Sequence, residues 1–169
     1  MELPTFEART LQGAAKVLPR DLPAERTLVL LAFHQRHQSD VDAWIGRAGD
    51  AGWAADLSAP AALVHERAVI EVPCIGRRWS AGRRFIDGGM AASIRVPSVL
   101  ARTWTAYTDV GRVQQALDIP DSEQIWVGVV ARSGEVLAVA AGEPTSTSWP
   151  VIARAMAPQE APGGRTGTA

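Results

Sequence analysis

The rhythm of apolar and polar positions changes most sharply between Thr27 and Ile45. Thr27-Leu28-Val29-Leu30-Leu31-Ala32-Phe33 forms one apolar run. A run of that kind suits a strand buried on both faces of a parallel sheet. The polar turn His34-Gln35-Arg36-His37-Gln38 interrupts it. Val41, Trp44, Ile45 and Ala48 then recur at helical spacing. They predict a helix opening at Ser39, with Asp42 three residues on as an approximate capping box, and running to about Gly49 or Gly52. A buried strand, a polar turn and a helix N-terminus make a common site geometry in α/β proteins.

The rest of the chain supplies further elements. Leu3 to Thr10, with its early proline, reads as an edge strand; Leu11-Gln12-Gly13 reads as a turn and Val17 to Glu25 as extended loop. Val64 to Ile75 is rich in β-formers and reads as a second buried strand ended by Pro73. Arg83 to Ile94 is ambiguous: its apolar spacing is helical, and Gly88-Gly89 weakens a helix. Ser98 to Ala101 suggests a helical turn and Arg102 to Tyr107 a third strand. A helix follows with Val110, Val113, Ala116 and Leu117 on one face. Gln124 to Ala131 and Glu135 to Ala140 flank Arg132-Ser133-Gly134, a β-hairpin signal. A last helix starts at Thr147-Ser148-Trp149-Pro150, where proline is tolerated in the first turn. This order predicts an α/β fold, a mixed sheet with helices on both faces, over residues 1–157. Residues 158–169 lack an apolar anchor and are expected to be a disordered tail.

Composition narrows the function classes. The 169 residues suffice for one domain with a single sizeable core. A net charge of −1 gives no bulk attraction to nucleic acid or an anionic membrane. Lys16 is the only lysine, so the abundance of arginine reflects coding bias more than arginine chemistry. Cys74 is the only cysteine, which excludes an internal disulfide and a Cys-rich metal site. His34, His37 and His65 lack acidic or thiol neighbours at metal-ligand spacing, so no metal and no cofactor are expected. The opening MELPTFEART lacks the form of a signal peptide, and no stretch approaches a membrane span. A soluble cytoplasmic protein is expected, with homodimerisation left open.

From residues 4 to 156 the chain resembles the thioredoxin-like superfamily. PTFEARTLQG followed by LPRDLPAERTLVLLAF is similar to the start of a peroxiredoxin-type domain, and QIWVGVVARSGEVLAVAAG to that fold's final hairpin. FIDGGMAASI and RTWTAYTDVGRVQQALDI are closer to redox-inactive relatives that include the mitochondrial ATP synthase assembly factor family. The resemblance implies a three-layer α/β/α fold with a mixed central sheet, ending in a β-hairpin and a helix. In redox-active members a cysteine sits between the buried strand and the following helix, whose N-terminus lowers the thiol pKa. Here His34 to Gln38 hold that place, and none of them performs thiol–disulfide exchange. Glu123-Gln124-Ile125 stands where the family places a cis-proline.

Four groups are candidates for function. The first is the His34–Gln38 turn. There His34 or His37 would serve as an acid/base, with Gln35 and Arg36 as ligand contacts; the alternative is a solvated turn. A helix N-terminus favours a neutral His37. The second is Cys74, either a reactive thiol helped by nearby Arg77 and Arg78 or a small buried residue. The third is the cluster Arg77, Arg78, Arg83 and Arg84, with Asp87 following, which would clamp a phosphate or carboxylate if it converges. Trp79 within it suits an exposed contact. The fourth is Asp109, a helix N-cap or a carboxylate facing the His34 turn. The expected function is a redox-inactive binding or assembly module for a protein partner or small anionic ligand. The rivals are a non-redox enzyme using His34 or His37 with arginines as anion stabilisers, and a one-cysteine peroxidase-like enzyme using Cys74.

Overall fold

The computed structural model describes residues 1–53, 56–57, 65–76 and 96–158. Seven strands form one sheet: β1 (Phe6–Thr10), β2 (Ala15–Leu18), β3 (Ala24–Ala32), β4 (His65–Gly76), β5 (Trp104–Thr108), β6 (Trp126–Ala131) and β7 (Val136–Ala141). Their order across the sheet is β2-β1-β5-β4-β3-β6-β7. β3, β4 and β5 run parallel, and every other pairing is antiparallel. The described helices are α1 (Gln38–Asp50), α2 (Pro97–Arg102), α3 (Val110–Ala116) and α4 (Ser148–Met156), and a 3₁₀ turn at Gln35–His37 precedes α1.

The apolar run behaves as its pattern demands. Leu28 to Leu31 are all 0% exposed and alternate between the two faces of the sheet. Leu28 and Leu30 meet Val41, Trp44 and Ala48 of α1 and Ile152 and Met156 of α4; Val29 and Leu31 join the opposite core, which contains Val113 and Leu117 at the end of α3. Burying each such aliphatic side chain contributes about 2 kcal/mol. Helices on both faces of a mixed sheet complete the three layers.

Two local readings of the pattern are corrected. β1 is not an edge strand: it pairs with β2 on one side and β5 on the other. Pro4 lies before the paired segment, so its missing N–H costs the ladder nothing. The edge is β2, from a stretch whose apolar content is too short to announce a strand. Its register with β1 is set by the turn at Thr10–Gly13, where Gly13 sits at φ +95 and the Thr10 hydroxyl accepts the Ala14 N–H at 3.0 Å. The second correction concerns the start of α1. Ser39 does not cap it; the helix begins one residue earlier, at Gln38, and His37 occupies the cap position without a side-chain cap bond. Asp42 instead accepts from the Gln38 amide at 3.0 Å.

The hairpin and last helix lie where expected. Trp44 ties α1 to the end of β7, donating from Nε1 to the Gly142 carbonyl at 2.7 Å. Trp149 of α4 stacks on Trp53 and is tilted against Trp44. Arg26 of β3 donates to the Ala155 and Ala157 carbonyls and so satisfies the end of α4. Trp104 and Trp126 are core residues, whereas Trp79 and the ambiguous Arg83–Ile94 stretch lie outside the described residues. So does the expected tail from residue 159 onward. Among the described residues no helix is long and apolar enough to cross a membrane.

Candidate functional site

The three parallel strands end along one edge of the sheet, and an open cleft of about 670 Å³ lies there. Phe33 and His34 follow β3, Cys74 to Gly76 close β4, and Thr108 to Gly111 join β5 to α3; Ser122 completes the lining. Clefts outside the carboxyl ends of parallel strands are the usual ligand position in open α/β sheets.

The 3₁₀ turn separates the two histidines. His34 is exposed and lines the cleft. His37, three residues on, is turned inward and only 3% exposed. The Phe33 N–H donates to His37 Nδ1 at 3.3 Å, and His37 Nε2 lies 3.1 Å from the Glu123 carbonyl. A nitrogen that accepts an N–H carries no proton of its own. His37 is therefore the neutral tautomer protonated at Nε2, which donates to Glu123. Burial holds its pKa below the ordinary histidine value, with the Glu123 carbonyl opposing and the charges of His34 and Arg36 adding to the depression. The expectation that His37 acts as an acid/base is thus corrected: both ring nitrogens are committed to the scaffold. The rings of His34 and His37 meet edge to face at 5.2 Å, so His37 also props the exposed imidazole from behind.

Arg36 is exposed and ion-paired with Glu123 at 2.8 Å. That contact pins the turn to the segment ahead of β6, and being solvent-exposed it contributes at most about 1 kcal/mol. Gln35 is exposed on the same turn. Asp109 is the N-cap of α3, accepting the Arg112 N–H at 3.2 Å, and also lines the cleft that contains His34. The structure therefore brings Asp109 and His34 to one concavity. Arg77, Arg78, Arg83, Arg84 and Asp87 lie outside the described residues.

Cys74 is corrected as a nucleophile. It lies on the central strand β4 and is 5% exposed. Its thiol points to the Val72 carbonyl at 3.6 Å, and burial pushes its pKa up to about 12. A thiol so raised forms almost no thiolate at neutral pH. Among the described residues, no three of His, Cys, Asp and Glu gather closely enough to hold a metal ion.

Sequence reasoning missed Thr108, Ser122 and Glu123. Thr108 at a strand end ahead of Asp109 carried a usable signal. Ser122 and the Glu123 carbonyl carried none, because a backbone acceptor is common to every residue type.

The sequence matches no protein-family model and no curated protein. Solved structures do match. A candidate electron transfer protein from Aquifex aeolicus VF5 superposes with a TM-score of 0.60 at 10% identity, over 92% of this chain and 94% of that one. BsSco, a member of the Sco family of cytochrome c oxidase assembly proteins, gives 0.54 at 11% identity over 91% of both chains. The exposed lipoprotein thioredoxin Etrx1 of Streptococcus pneumoniae TIGR4 gives 0.53 at 10% identity, over 90% of this chain and 98% of that one. At such identities the likeness is one of fold. The chain has the thioredoxin-like fold, in its three-layer form with a mixed sheet.

Proposed function

We propose that this protein is a redox-inactive thioredoxin-fold binding module. Its cleft at the ends of β3, β4 and β5 docks an exposed segment of a protein partner or a small anionic ligand. One observation carries this reading. The strand-to-helix position that bears a cysteine in redox-active members of the resembling family is held by His34–Gln38, while the single cysteine is buried with a thiol pKa of about 12. What remains at the edge is a concavity with an exposed imidazole, a carboxylate and hydroxyls. It suits recognition by hydrogen bonds more than thiol chemistry.

Isotope-labelled protein titrated with a panel of small carboxylates, phosphates and extended peptides tests the reading. Binding should shift the amide signals of His34, Thr108 to Gly111 and Ser122, and His34→Ala should weaken it about tenfold, the loss of one charge-assisted hydrogen bond. Thiol–disulfide exchange with a model disulfide should be no faster than for the Cys74→Ser variant. Exchange that depends on Cys74 overturns the proposal.

A second reading, a non-redox enzyme, is favoured by the presence of His34 and Asp109 in one cleft. It rests on His34 alone as the acid/base, since His37 is committed. It requires turnover with a pH dependence that His34→Ala abolishes.

A further inference from the structure

The turn that carries His34 is held to the far side of the cleft edge by few contacts. Among the described residues it makes two polar contacts with the 117–125 segment. His37 Nε2 donates to the Glu123 carbonyl at 3.1 Å, and Arg36 pairs with the Glu123 carboxylate at 2.8 Å. The second contact is exposed and weak. On its other side, His37 Nδ1 accepts the N–H of Phe33, the first residue beyond β3, at 3.3 Å. The rings of Phe33 and His34 both stand edge to face against His37, at 6.4 and 5.2 Å. One buried imidazole thus joins the end of β3, the exposed His34 and the loop ahead of β6.

The two sides of this junction are not equally fixed. The loop has anchors of its own: the Gln114 amide of α3 donates to Ser122 Oγ at 3.1 Å, and Asp121 accepts the Glu123 N–H at 2.8 Å. α1 is fixed by its buried Val41, Trp44 and Ala48. Among the described residues the turn from His34 to His37 has no such separate anchor. Its other polar bonds are local, from the His37 N–H to the His34 carbonyl at 3.1 Å and from the Gln38 N–H to the Gln35 carbonyl. The charged groups around the ring are His34 and Arg36 on its own turn, Asp40 in the first turn of α1, and Asp121 and Glu123 on the loop; β3 ends in uncharged Ala32 and Phe33. Burial opposes a charge on the ring most, His34 and Arg36 add to that, and the Glu123 carbonyl and Asp40 favour it. The Asp121 carboxylate is taken by a backbone N–H and that of Glu123 by Arg36.

We propose that His37 is a proton-released latch that holds the His34 wall of the cleft in place. The neutral ring accepts from Phe33 and donates to Glu123. When the ring takes a second proton from solvent, two N–H donors face each other at Nδ1, and the buried cation leaves that position. The His34–His37 turn then swings away from the loop, because the exposed Arg36–Glu123 pair does not hold it alone. His34 loses the ring it rests on, and the cleft it lines with Asp109 and Ser122 loses one wall. The latch stands on the bonds of the turn, whatever the cleft takes up. Its consequence for an anionic ligand rests on the binding role proposed above: acid releases the ligand, whereas a proton gained by exposed His34 alone would tighten its hold.

The test follows the isotope-labelled full chain by NMR from pH 7.5 to pH 5. Protection of the Phe33 amide against hydrogen exchange, corrected for the intrinsic rate, should fall at least about tenfold as His37 Nδ1 gains its proton. The His34 and Ser122 amide signals should move with the same midpoint. Leu30 and Val127, paired at the centre of β3 and β6, should stay protected. In His37→Gln, which does not titrate, Phe33 protection should not change with pH; in His34→Ala the transition should remain. A transition that survives His37→Gln or vanishes in His34→Ala overturns the latch. So does loss of protection at Leu30 and Val127 in step with Phe33, which is acid unfolding. Should His37→Gln not fold, different midpoints for Nδ1 and for Phe33 in the unaltered chain overturn it equally. Sulfate, whose charge is constant over this range, should shift the His34 amide at pH 7.5 at about tenfold lower concentration than at pH 5. A sulfate response that strengthens in acid overturns ligand release by the latch. No response to sulfate at either pH counts against anion binding in the cleft, and the Phe33 result decides the latch without it.

Discussion

Protonating His37 removes the acceptor that the Phe33 N–H uses and places a second positive charge between His34 and Arg36. Its folded pKa lies below the unfolded value near 6.5, so the folded state holds fewer protons than the unfolded one through that window. The stability it contributes is complete above pH 6.5 and is lost as pH falls through the depressed value. Glu71 acts with the opposite sign. Burial pushes its carboxyl above 4.5, against the Thr103 hydroxyl, which donates to one of its oxygens at 2.6 Å. Its contribution is complete below pH 4.5 and fades as pH rises through the raised value. Urea midpoints measured against pH therefore separate the two. His37→Gln should cost about 1 to 3 kcal/mol at pH 7.5 and much less in acid, while Glu71→Gln should remove the opposing trend. A His37→Gln cost independent of pH contradicts the neutral clamp. The sequence showed a polar turn with two histidines. It did not show which one faces inward, because HQRHQ has no apolar periodicity and the 3₁₀ geometry makes that choice.

At the scale of elements, the hairpin joins a strongly patterned strand to a tightly packed cross-strand contact. Gly128 faces Val139 across the ladder and is covered by the Trp126 ring. A methyl group there has no room unless the indole leaves its place. Gly128→Ala should destabilise the protein by about 2 kcal/mol, the scale of an overpacked core. In a Trp126→Leu background the same change should cost at least about 1 kcal/mol less, because the obstructing ring is gone. Equal costs in the two backgrounds, read from urea denaturation, exclude the steric account. The hairpin was legible because two β-rich runs flank a Gly-containing turn, with Gly134 at φ +98. β2 was not: Ala15–Leu18 is a four-residue run with a single β-branched residue, too short and too weakly patterned to announce a strand. The start of α1 shifted for a related reason, since a 3₁₀ turn fills the position where a side-chain cap was expected.

In the whole molecule, Cys74 sits on β4 between β3 and β5, with the opposed cores on the two sides of that strand. Its sulfur lies at the cleft end of that strand, 5% exposed and turned back on the Val72 carbonyl, so a reagent reaches it when that end of the sheet opens. This distinguishes a structural cysteine from a redox one by rate rather than by appearance. A neutral thiol reagent should label Cys74 in native protein at least about tenfold more slowly than in denatured protein, because the opened strand end is a minority state. Low concentrations of urea should speed labelling with a weaker dependence than governs global unfolding. Increasing pH from 7 to 9 should add only what it adds to labelling of the unfolded chain, whose thiol titrates near 8.5. Fast labelling with an apparent pKa well below 8.5 contradicts the buried position and restores thiol chemistry. The thioredoxin-like fold was legible from the order of strands and helices. The fate of its one cysteine was not: burial is the commoner fate of a free cysteine, and the sequence alone left a nucleophile open until its neighbours in space are known.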